Sequence, residues 1–410
     1  MNTKRISVHL GLALLFLGTV CVTASAATLT VGKETCPNAQ YSTIASAISA
    51  AAPGDIIDIC PALYPEQLVI SKPLTLRGVR VNVAGNDVKR ILIQPFLQNI
   101  QDLPVEAVIT VMNASYVTID NLAIDGSQNS VSGCTPGLAA VHYFNSSGRV
   151  INNAIFGAQF PNPQSCSPSS APGGNGIGVQ VDADQSRHFH VSVENNSIHD
   201  YSANGIRVDG SGVTAEIEGN NVSGVGPSIG TFQFGVLVVN GAVAQIKGNV
   251  ITEGRCGTLS ATDCFNIRSE GVTLRLAGDG TVVDSNVITD AQSGVFINAV
   301  NNVQITNNFI SNIDALDGID MQGTSNSLLD GNTIVNATIG NESCGVYESP
   351  GPGFSGGIEE NNKIAHTNVN DSYCGVAHVS TSRVESGTFH NTLFTDVNSE
   401  TFAFPPPVEP

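Results

Sequence analysis

Tryptophan is absent, methionine occurs only 3 times, and charged residues make up 13% of the 410 positions. So low a charge density excludes a coiled coil, while a hydrophobic share of 41% is too high for a disordered chain. Basic residues are scarcest: 17 Lys and Arg stand against 35 Asp and Glu, a net charge of −18 that excludes an electrostatic nucleic-acid binder. Beyond the stretch Leu10 to Val22, no run approaches the roughly 18 apolar residues of a membrane span, so no membrane segment is expected. Without Trp the commonest sugar-stacking platform is missing, which leaves that role to Tyr and Phe. No Cys-x-x-Cys pair is present and no His stands at ligand spacing from a Cys pair, which sets zinc aside.

What is present begins with a leader. Lys4 and Arg5, the apolar run to Val22, and Ala24-Ser25-Ala26 read as a secretory signal over 1–26, cleaved before Ala27. The mature chain is therefore expected to be secreted, extracellular or, in a Gram-negative source, periplasmic, with a charge balance of 15 − 35 = −20. Val20 before Cys21 does not suit a lipid anchor, so Cys21 leaves with the leader. The remaining 8 cysteines make disulfides the default in an oxidising compartment: Cys36 with Cys60, Cys134 with Cys166, Cys256 with Cys264, and Cys344 with Cys374.

The chain is repetitive. One unit is Asn-x-(Ile/Val/Leu), at Asn153, Asn196, Asn220, Asn249, Asn286, Asn308, Asn332, Asn362 and Asn391. A second is Gly-(Ile/Val), at Gly176, Gly205, Gly235, Gly271, Gly294, Gly318, Gly345 and Gly375. From each Gly to the next Asn the chain runs 20, 15, 14, 15, 14, 14, 17 and 16 residues, whereas from each Asn to the next Gly it runs between 8 and 23. One half of each repeat is thus nearly rigid in length and the other is free. Short alternating strands in units of about 22 to 30 residues cannot bury their apolar faces alone and must stack. Stacked parallel strands form an all-β solenoid, a parallel β-helix that crossover chirality makes right-handed. Rungs about 4.8 Å apart turn equal positions into ladders, so the recurring Asn is expected to form an internal amide ladder at a turn. Cys344 and Cys374, each just before a repeat Gly in successive rungs, then stand within disulfide reach.

The N-terminal part differs. Ser42 reads as a helix N-cap, Ile44 and Ile48 share one face, and Pro53-Gly54 stops the helix, which would cover the open end of the solenoid. The organisation expected is a cap and first rung over 27–78, the β-helix over 79–395 and a tail over 396–410. Thr30-Val31-Gly32, Tyr41-Ser42-Thr43-Ile44, Ala51-Ala52-Pro53-Gly54-Asp55, Tyr64-Pro65-Glu66 and Lys72-Pro73-Leu74-Thr75-Leu76-Arg77-Gly78 resemble the opening rung of the pectin lyase-like superfamily. The Asn and Gly units resemble the right-handed β-helix repeats of its carbohydrate-binding and sugar-hydrolase group. The resemblance implies a substrate groove along the outer face of the Gly-Ile strand, walled by variable loops.

Two outward patches are candidates on that face. In the later one, Asp320 lies between Phe296 and Tyr347, with Asp317, Asp290, Arg275, Asn298 and Gln322 alongside. Aromatic rings beside carboxylates suit a sugar, and Asp320 with Asp317 could supply the acid and base of glycoside hydrolysis. The earlier patch joins Arg207 and Asp209 to Asp182, Asp184 and His199-Asp200-Tyr201, where Arg or His could abstract the proton in a uronate lyase and carboxylates could hold Ca²⁺. Asp314, Asp317 and Asp320 have a spacing that also suggests Ca²⁺. His188 and His190 share one side of an alternating run and are expected to face solvent. The sequence carries neither the Asn-Thr-Asp, Asp-Asp and Gly-His-Gly motifs of polygalacturonases nor the Arg-x-Pro-x-x-Arg of pectate lyases or the Asp-Pro-His-Glu of alginate epimerases. The expectation is a monomeric secreted protein that binds polysaccharide and either cleaves it, as hydrolase or lyase, or serves without catalysis as an adhesin or structural surface protein.

Overall fold

The computed structural model describes residues 26–404 except 34, 84–85, 89–90, 98–104, 130–136, 160–175, 185–186, 227–231, 253, 255–268, 314–315, 338–343, 350–362, 366, 380–388 and 391–392. The leader up to 25, Cys134, Cys166, Cys256, Cys264, Asp314 and the tail beyond 404 lie outside the described residues.

Strands stack in parallel into three long ladders, and the chain passes from one to the next in each rung. The first ladder has thirteen strands, from Thr28–Val31 to Phe389–His390. The second starts at Leu63–Tyr64 and carries the Asn-x-Ile strands, such as Ser197–His199. The third starts at Leu68–Ile70 and carries the glycine strands, such as Asn204–Asp209. The second and third both run into the long strands Asn368–Val379 and Leu393–Phe404. The architecture is an all-β parallel β-helix, as the repeat demands. Parallel register puts like on like inside it: Ile57, Leu76, Ile119, Val150, Val193 and Ile217 follow one another in the first ladder, each fully buried. Each such aliphatic side chain contributes about 2 kcal/mol relative to exposure, which is how units too small to fold alone become stable together.

The described residues hold one helix, Ile44–Ala50, whose Ile44, Ala47 and Ile48 join the main core. Its N-cap is Thr43 and not Ser42: the Thr43 hydroxyl accepts the Ser46 N–H at 3.3 Å. Glu66 fixes that start, since its carboxylate accepts the N–H groups of Ile44 and Ala45 at 2.9 Å each. A carboxylate at the positive end of a helix stabilises it further.

The corner between the first and second ladders is built by asparagine. Asn153, Asn196, Asn220, Asn249, Asn286, Asn308 and Asn332 are all at most 2% exposed. The Nδ2 of each donates to the Oδ1 of the next at 2.9–3.0 Å, from Asn153 through to Asn332. The residue before each ladder Asn is left-handed: Asn152, Asn195, Gly219, Gly248, Ser285, Asn307 and Gly331 have φ between 55° and 70°. Only Gly, Asn and Asp adopt that conformation at low cost, and Ser285 is the exception in the series. Ser285→Gly is expected to raise the unfolding free energy by about 0.5–1 kcal/mol in denaturant titration; unchanged or lower stability would show that the Ser285 hydroxyl, 3.2 Å from Asp284 Oδ2, outweighs the strain.

Two expectations about the repeat are corrected. The ladder glycine of its rung is Gly178, not Gly176, because Val179 pairs with Ile206, so Gln180 is the residue that stands in register with Arg207. Towards the C-terminus, Ile364 belongs to the first ladder and Asn368 pairs with Thr333, so Thr367, not Asn362, stands after Asn332 and the amide ladder ends there. Asn362 and Asn391 lie outside the described residues. Cys36 is bonded to Cys60, with Cα atoms 6.3 Å apart, as its spacing suggested. Cys344 is disulfide-bonded, and the residue opposite it in the third ladder is Cys374.

Candidate functional site

The outer face of the third ladder carries three columns of side chains. The residues two and four after the ladder glycine share one side of the strand, and in the rungs of Gly235 and Gly271 the residue one before it joins them. The hydrogen bond from Thr273 to Glu270 and the cluster of Phe234, Leu237 and Val239 show these positions sharing one side. The column two after glycine runs Thr110, His142, Gln180, Arg207, Leu237, Thr273, Phe296, Asp320, Tyr347. The column four after runs Phe144, Asp182, Asp209, Val239, Arg275, Asn298, Gln322, Ser349.

In the later patch the register sets Phe296, Asp320 and Tyr347 on successive rungs, with Asn298 and Gln322 beside them. Asp320 is 3% exposed, and the Gln322 Nε2 donates to both its oxygens at 3.1 and 3.2 Å. Asp317 accepts the backbone N–H of Cys344 at 2.6 Å, so one of its oxygens serves the main chain. Arg275 is exposed at the rim, and Asp290 accepts from Thr289 at 3.1 Å at the end of a second-ladder strand. Glu270, 1% exposed and paired in register with Phe234 and Ser293, adds a buried carboxylate that sequence reasoning missed.

The earlier patch is a hydrogen-bonded cluster. Arg207 donates to Asp209 at 2.6 Å, and Asn240 donates to the other Asp209 oxygen at 2.7 Å. One rung away, His142 Nε2 lies 2.6 Å from Asp182 Oδ1 while Gln180 Nε2 donates to Asp182 Oδ2 at 2.9 Å. Asn145 ties Asp184 at 2.6 Å. His142 is fully buried and was not a candidate, because Ala140 replaces the ladder glycine of its strand and hides the motif. His199 stacks on Phe156 with ring centroids 5.2 Å apart and pairs with Asp200, but it lies in the second ladder, away from this face. His188 and His190 are exposed, as expected.

Arg207 and Asp320 are four rungs apart, about 19 Å at the usual strand spacing, so the two patches do not meet at one bond. Between them lies an apolar stretch of Phe232, Phe234, Leu237 and Val239. Outside the face, on the strand Val105–Met112, Glu106 has the core residue Leu138 as its ladder partner, and burial pushes its carboxyl above the ordinary range. Among the described residues no group of three or more His, Cys, Asp or Glu could hold a metal ion.

A family model described as a right handed beta helix region matches residues 250–401. The fold is a right-handed parallel β-helix. Among solved structures, this right-handed β-helix is similar to the A-module of the mannuronan C-5 epimerase AlgE6 of Azotobacter vinelandii, at 14% identity over 88% of this chain and 94% of that one, with a TM-score of 0.49. It is similar to the GH136 lacto-N-biosidase of Eubacterium ramulus, at 13% identity over 92% and 68%, TM-score 0.49. The PL6 family polysaccharide lyase Pedsa3628 of Pseudopedobacter saltans matches at 13% identity over 94% of each chain, TM-score 0.43. No curated protein matches the β-helix in sequence.

Proposed function

We propose that this protein is a secreted, monomeric polysaccharide-binding β-helix whose ligand lies along the outer face of the third ladder. The observation that carries the reading is the makeup of that face. Aromatic and aliphatic side chains at Phe234, Leu237, Phe296 and Tyr347 alternate along the rungs with hydrogen-bonded polar pairs, Arg207 with Asp209 and Asp320 with Gln322. A linear polymer of rings edged with hydroxyls matches such a row: apolar ring faces meet the aromatics, and hydroxyls exchange hydrogen bonds with the pairs. A surface kept only for solubility needs no such interleaving. Binding is favoured over two-carboxylate hydrolysis, because one oxygen of Asp317 is already engaged by the backbone of Cys344.

The test is a binding and product screen of the mature chain against neutral and charged polysaccharides, with Ca²⁺ and with chelator. The Phe296→Ala/Tyr347→Ala double variant is expected to weaken binding about tenfold, two lost aromatic contacts of roughly 0.7 kcal/mol each. New reducing ends that vanish in Asp320→Asn would add hydrolysis at the later patch; unsaturated product would point to Arg207. A folded protein that binds no saccharide at all would overturn the reading in favour of a non-catalytic adhesin or structural protein.

A further inference from the structure

We infer that the earlier patch is a subsite for the protonated amine of an amino sugar, so that the polysaccharide class is cationic and rich in hydrogen-bond donors rather than a polyuronate. The inference rests on the polysaccharide reading and narrows it. Three carboxylates, Asp182, Asp184 and Asp209, gather here against the single guanidinium of Arg207. The carboxylates reach solvent: the Asp182 and Asp209 side chains are each 19% exposed.

The independent observation is an unsatisfied acceptor on a side chain bound to the same carboxylate. Gln180 is 6% exposed; its Nε2 is spent on Asp182, and its Oε1 has no hydrogen-bond partner. His142 is fully buried with its Nε2 on Asp182, and its Nδ1 likewise has none. A buried acceptor left unmade destabilises the free protein, a cost that a donor from a ligand would remove. The free Gln180 oxygen asks for an N–H or O–H, and an ammonium offers three such donors together with the charge that this acidic cluster lacks. The net charge of −18 works in the same direction, drawing a polycation to the face and repelling a polyanion.

The probes are tetramers of glucosamine, N-acetylglucosamine and galacturonate, titrated calorimetrically into the full mature chain at about pH 6, where sugar amines carry their proton. The glucosamine tetramer is expected to bind at least tenfold more tightly than the other two, and only its affinity should fall as NaCl rises. Gln180→Met and Asp182→Asn should each remove about tenfold of that affinity, while Glu194→Gln, the same charge change on the first ladder, leaves it unchanged. If either patch variant fails to fold, the wild-type salt dependence still decides. Equal binding of the free and acetylated tetramers, or binding of galacturonate alone, overturns this subsite and leaves polysaccharide binding standing. Failure of all saccharides overturns both.

Discussion

Asn249→Leu is expected to lower the unfolding free energy by about 3–6 kcal/mol, enough to leave little folded protein at ordinary temperature. Asn249 is fully buried at the middle of the amide ladder. Its Oδ1 accepts both the backbone N–H and the Nδ2 of Asn220 at 2.9 Å, and its Nδ2 donates to Ile217 O and to Asn286 Oδ1 at 2.9 Å. Leucine nearly matches the volume, so packing changes little, yet it strands the Asn220 N–H, one Asn220 amide hydrogen and the Ile217 carbonyl in a dry interior. Each costs about 1–3 kcal/mol, with partial relaxation reducing the sum. The loss should also spread, because every rung is stabilised chiefly by its neighbours. Asn221→Ala, one residue past a ladder asparagine but on the exposed side of its strand, should change stability by less than about 0.5 kcal/mol. Chemical denaturation of the two variants separates the cases; a loss under about 1 kcal/mol in Asn249→Leu would mean that the ladder is filled by water or relaxes at no cost.

The contrast between those neighbours also shows what was legible in the sequence. A fixed offset from asparagine to a branched residue announces a turn that must be identical in every rung, so fold and ladder could be read from spacing alone. The left-handed residue before each asparagine was equally visible, as Gly-Asn and Asn-Asn pairs, but it carries meaning only once the corner is known. Other features are set by register. Gly176 stands just before the strand Ile177–Asp182 and Gly178 within it, and only the pairing of Val179 with Ile206 chooses between them. Lys363–Ala365 has the look of an Asn-x-Ile strand, and only the pairing of Ile364 with Leu329 puts it in the first ladder. The candidate site suffered most: once Ala140 takes the place of a glycine, the strand Gly137–Phe144 drops out of the motif, and His142 with it. Columns read from a motif stop where the motif stops, while the face itself continues.

The ladder glycines make the second large prediction. A methyl group at residue 178 would stand 2.6 Å from the Gly205 carbonyl oxygen and 2.5 Å from the Ile198 Cγ2, both closer than real Cβ contacts allow. The requirement is therefore close approach and not backbone freedom: the branched residue of the Asn-x-Ile strand packs directly on the bare glycine, which couples the two repeat motifs physically. Gly178→Ala is expected to cost at least about 3 kcal/mol, from overpacking plus displacement of a ladder strand. Trimming the side-chain partner should not rescue it, because the Gly205 oxygen is backbone, and Ile198→Ala opens a cavity costing about 2–5 kcal/mol of its own. Gly254→Ala is the control, since its added methyl would meet only Ala291 Cβ at 3.9 Å and should be tolerated. Recovery of full stability in Gly178→Ala/Ile198→Ala would show the carbonyl contact to be soft. The same ladder spacing fixes Gln180 and Arg207, each two residues after a ladder glycine. Any Gly178→Ala protein that still folds should therefore lose saccharide affinity at the earlier patch while keeping its response to Phe296→Ala and Tyr347→Ala, because the displaced rung carries one patch and not the other.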